Sequence, residues 1–124
     1  MRLSSLLAVA ALLLTGCAGL PRATVTVTSV VDSAMKTWAQ EHVAGRTTPE
    51  IDAKIRAAHE RYRLAAGTAL VAYQTYLAQG DDAAALRTVR SLRALAIPIV
   101  EALWPVNPGA SHELTVNLQR VTHP

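Results

Sequence analysis

The chain has 124 residues and a formal net charge of +3. That length supports one modest hydrophobic core, and so small and dispersed a charge argues against nucleic acid as a partner. A single cysteine rules out an intramolecular disulfide, so stability rests on packing.

Residues 1–17 have the layout of an export signal. Arg2 supplies a positive start, Leu6 to Leu14 an apolar run, and Thr15 and Gly16 small residues before Cys17. A secretory signal asks for these parts in this order, with an apolar core of about 7–15 residues. A membrane-spanning helix would need about 20. The stretch Leu14-Thr15-Gly16-Cys17 resembles the lipobox of bacterial lipoproteins. That resemblance implies cleavage between Gly16 and Cys17. It also implies a diacylglyceryl group on the Cys17 sulfur and acyl chains, palmitate among them, as the anchor. Ala18 in place of aspartate implies the outer membrane, facing the periplasm. Two chains suffice for stable anchoring, at about 0.8 kcal/mol per buried methylene.

Residues 17–23 read as a short tether, because Gly19 and Pro21 break regular structure. Thr24 to Thr28 alternates threonine with valine, which alone is a strand pattern. The alternation stops at Val30, and Val27, Val31, Ala34, Trp38 and His42 fall at helical spacing. The spacing predicts a helix over about Thr28–Val43. Gly45 suits the left-handed position after a helix end. Thr48 is an N-cap with Pro49 at the first helical position, and Thr47 with Glu50 offers a capping box one residue earlier.

The second helix is expected from Pro49 to about Ala78. Ile51, Ile55, Ala58, Tyr62, Ala65, Ala69, Tyr73 and Tyr76 mark its apolar face. Its first half carries Lys54, Arg56, Glu60, Arg61 and Arg63, whereas Leu64 to Gly80 holds no charge. Gly80 then ends the helix and Asp81 caps the next. Leu86, Val89, Leu92, Ala96, Ile99 and Leu103 recur at steps of three or four, close to a coiled-coil seam. Pro98 predicts a kink or an early end. Pro105, Asn107, Pro108 and Gly109 read as a turn. Leu114, Val116 and Leu118 alternate with polar residues, so residues 105–124 read as an irregular or strand-like tail. The expected fold is all-α: a three-helix antiparallel bundle or extended hairpins over residues 24–104.

Chemistry is sparse. His42, His59, His112 and His123 share no metal-ligand spacing. Ser111-His112-Glu113 is consecutive, and consecutive side chains rarely converge. No carboxylate pair or glycine-rich phosphate loop stands out, so neither enzyme activity nor a cofactor nor a metal is expected. Arg87, Arg90 and Arg93 form a basic ridge that reads first as a solvated face. Tyr62 and Tyr73 read as core. The expected role is a lipid-anchored structural or interaction module. It meets another envelope protein, or a second copy, through Leu70, Tyr73, Leu77, Val89, Leu92, Ile99 and Leu103. Two rivals are a phage lysis lipoprotein resembling an outer-membrane spanin subunit, and a hydrolase or ligand binder using Ser111 and His112.

Overall fold

In a computed structural model of the chain, residues 19–121 are described. They form four helices: α1 (Gly19–Val43), α2 (Pro49–Ala78), α3 (Asp82–Ala102) and α4 (Pro108–Arg120). No strand occurs among the described residues. The lipobox-like stretch Leu14-Thr15-Gly16-Cys17, with the expected cleavage and lipidation positions Gly16 and Cys17, lies outside them.

The turns follow from local chemistry. Gly45 and Gly80 both adopt φ of 74°, a conformation that costs glycine nothing. In each case the next residue reaches back to the last full turn: Arg46 N–H donates to the Glu41 carbonyl at 2.9 Å and Asp81 N–H to that of Tyr76 at 2.8 Å. These are Schellman endings, which satisfy carbonyls left open at a helix terminus. The next helices start on caps. Thr48 accepts from Ile51 N–H, and Asp81 from Ala84 N–H.

Helix α3 is the hub. Its backbone runs close to α1, α2 and α4, and most extensively along α2, whereas α1 approaches α2 only sparsely. Val89, Leu92, Ala96, Ile99, Val100 and Leu103 of α3 are all buried. They close on Val27, Val31 and Ala34 of α1, Ile55 and Tyr62 of α2, and Leu114 and Leu118 of α4 in a single core.

Three expectations change. Helix α1 begins at Gly19 rather than Thr28, so Gly19–Ala23 is helical and not a free tether. Ala23, Val27, Val30 and Ala34 are buried at helical spacing, and this outweighs the threonine–valine alternation. The Thr28 hydroxyl is satisfied within the helix, donating to the Thr24 and Val25 carbonyls. Helix α3 continues through Pro98 to Ala102, so of the kink and the early end expected there the early end is set aside. Pro98 and Ala94 are both exposed, so the hydrogen bond that proline removes falls outside the core.

The C-terminal segment is a fourth helix, not a strand-like tail. Asn107 caps it, its side chain accepting from Ala110 N–H, and Pro108 follows at the first helical position. Leu114, Leu118 and Val121 are buried at steps of four and three. The alternating Val116 was incidental. A fourth helix has a core to cover, whereas a lone strand had no partner.

Candidate functional site

Two features of the surface hold most of the chemistry: a polar clasp where α1 turns into α2, and an uncharged outer face on the second half of α2.

The clasp gathers around Asp52, in the first turn of α2. The Trp38 indole N–H donates to Asp52 Oδ1 at 2.7 Å, and His42 Nδ1 lies 3.1 Å from Oδ2. The Arg56 guanidinium sits 5.3 Å from the centre of the Trp38 ring, in cation–π range. The Asp52 carboxyl is held below the ordinary carboxylate range, first by the Trp38 hydrogen bond and then by Thr47 and His42. Next to it, Glu41 bonds Arg46, which holds its carboxyl below the usual range, and accepts from the Asn107 amide at 3.4 Å. The two clusters tie the end of α1 to the starts of α2 and α4.

An acid beside a histidine invites a catalytic reading, but the geometry is not a relay. In a triad the base uses one ring nitrogen for the acid and the other for the nucleophile. Here Asp52 and the Thr47 hydroxyl, at 3.2 Å, both meet Nδ1. The arrangement orients the imidazole and fastens two helices. Sequence reasoning missed it because its members come from two different helices. The available signal was Trp38 and His42, one turn apart on a single face.

Ser111 and His112 both line a shallow depression with Glu101, Trp104 and Thr115. The Ser111 hydroxyl is buried and donates to the Val100 carbonyl at 2.8 Å, pinning α4 to α3, while His112 and Glu113 are exposed. Arg93 leaves its ridge as well. Its Nε–H donates to the Leu118 carbonyl at 2.9 Å, placing a cation at the negative end of α4. Arg87 and Arg90 stay exposed. No group of three or more metal-ligating side chains occurs among the described residues.

Of the expected interaction face, Tyr73, Val89, Leu92, Ile99 and Leu103 are buried in the chain's own core, and Leu70 and Leu77 are half-buried against it. The seam is occupied from within. Tyr62 and Tyr73 are core residues, and neither buried hydroxyl has a partner. Burial, together with the charge of Asp32, raises the Tyr62 pKa above its ordinary value.

The apolar surface left over lies elsewhere. Leu64 and Val71 are 69% and 65% exposed on α2. Gly67, Thr75 and Ala78, also exposed, fall on the same outer face. A side chain at Gly67 would meet nothing within 4 Å, so no internal contact calls for a glycine there. On the α3 side of α2 run two shallow depressions of about 530 and 480 Å³. Four alanines line each, together with Lys54, Arg61 and Glu101 in the first and Arg87 in the second.

No family model matches the chain, and no similar chain was found among the curated proteins or the solved structures.

Proposed function

We propose that this chain is a lipid-anchored helical module of the bacterial cell envelope, held by acyl chains on Cys17 and without enzymatic activity. One observation carries the reading: the only cysteine ends Leu14-Thr15-Gly16-Cys17, directly behind an apolar run too short to span a bilayer. Two features of the bundle agree with it. None of the described helices is long and apolar enough to cross a membrane. The described polar clusters are used to join helices, which suits a module whose work is contact. The natural partners are the membrane itself and another envelope protein.

Mass spectrometry of the N-terminal peptide of the mature protein tests the proposal. The expected result is a chain that starts at Cys17 and carries a diacylglyceryl thioether. Cys17→Ala should abolish both the modification and recovery with the membrane fraction. A mature protein with an unmodified thiol at Cys17 would sink the proposal.

A further inference from the structure

We infer that the outer face of α2 from Leu64 to Ala78 rests on the lipid surface in which the chain is anchored. The inference builds on the anchoring proposed above and adds a place and an orientation.

It starts from the length of chain between anchor and fold. Cys17 precedes Gly19, the first residue of α1, by two positions. Two extended residues span at most about 7 Å. An acylated Cys17 therefore has no tether, and the first turn of α1 is held at the headgroups.

Topology then decides which part of α2 comes down with it. Helices α1 and α2 are antiparallel neighbours in sequence. Trp38 bonds Asp52, and further along the charge of Asp32 acts on Tyr62. Continued to the start of α1, that register brings its first turns level with the region of Tyr73, and Ala23 and Tyr73 share the core. The half of α2 beside the anchor is therefore the half without charge. The half away from it carries Lys54, Arg56, Glu60, Arg61 and Arg63.

Charge is expensive where water is scarce, and this helix drops its charges where the anchor brings it to the bilayer. Leu64 and Val71, exposed a little over 10 Å apart along the helix at 1.5 Å per residue, give that face its apolar contact. The same end carries exposed Arg22, Arg87 and Arg90, suited to phosphate headgroups, against Asp81 and Asp82. The Asp81 side chain is already engaged as the cap of α3. The contact is peripheral, as expected of an amphipathic surface lying in the interface.

The test uses the full lipidated protein in vesicles of phosphatidylethanolamine and phosphatidylglycerol. With Cys17 acylated, Val71→Cys supplies the only free thiol for an environment-sensitive fluorophore. Thr75→Cys serves as a second probe of the same face, and exposed Ala57→Cys as a probe of the far half. Circular dichroism checks that each variant is folded, and mass spectrometry checks that Cys17 is acylated. Quenching by aqueous iodide should be several-fold weaker at residues 71 and 75 than at 57. Equal quenching at all three, with Cys17 acylated, overturns the inference and leaves the anchoring standing. Protection that vanishes when the protein is diluted in lipid also overturns it, assigning the face to a second copy. An unacylated Cys17 removes the anchoring, and the inference with it.

Discussion

Asp52 shows how much one side chain can join. Its two oxygens reach Trp38 and His42, so a residue of α2 fixes the last turns of α1. Because the fold holds its pKa below the ordinary carboxylate value, first through the Trp38 hydrogen bond, folding is favoured most where the carboxylate is ionised in both states. That contribution is present above about pH 4, near the pKa of an unfolded aspartate. It is lost as pH falls through the lower folded value. Glu41 and Glu60 are shifted the same way by Arg46 and Arg63, so Asp52 accounts for part of the acid slope. Asp52→Asn should therefore lower the melting temperature at neutral pH and flatten its decline between pH 5 and pH 2, as followed by circular dichroism. An unchanged acid slope in the variant would remove Asp52 from this role.

At the scale of the element, the glycines divide into two kinds. Gly45 and Gly80 end helices at positive φ. Gly67 lies within α2 with open space beside it. A glycine inside a helix costs about 1 kcal/mol relative to alanine. Gly67→Ala should raise stability by about that amount in urea unfolding, and a loss would reveal a packing constraint at that position. The three longer helices were legible in the sequence because their boundaries carry paired signals: Gly45 before Thr48-Pro49, and Gly80 before Asp81. The same logic is present at Asn107-Pro108, but the alternation of Leu114, Val116 and Leu118 overlays it with period two. Thirteen residues hold few repeats of either period, so helix and strand patterns overlap. The start of α1 was obscured in the same way by threonine, whose hydroxyl is satisfied inside a helix as well as outside. Of the site, the charge-free stretch of α2 could be read directly. Its division into a buried and an exposed face required the positions of α1 and α3. The clasp at Asp52 joins residues from two helices, and no local pattern announces it.

For the molecule as a whole, α4 is a structural part and not an appendage. It contributes Leu114, Leu118 and Val121 to the core, anchored by Ser111 and by Arg93 on the facing helix. Full burial of such side chains contributes about 1.5–3 kcal/mol each, against a total of about 5–15 kcal/mol for a typical domain. Deleting residues 105–124 should therefore remove most of the stability. The shortened chain should bind a hydrophobic dye such as ANS strongly and lose its cooperative melting transition. A truncated protein that melts as sharply as the full one would show that three helices suffice. The position of α3 also bears on the order of assembly. Helix α1 leans on α3 and α4 far more than on α2, so its apolar side stays without a partner until the segment from Asp82 onward is available. A chain threaded through a translocation pore from its N-terminus would emerge with α1 and α2 first and its keystone late. It would remain slack, and easy to pull through, until about two-thirds of its length had passed.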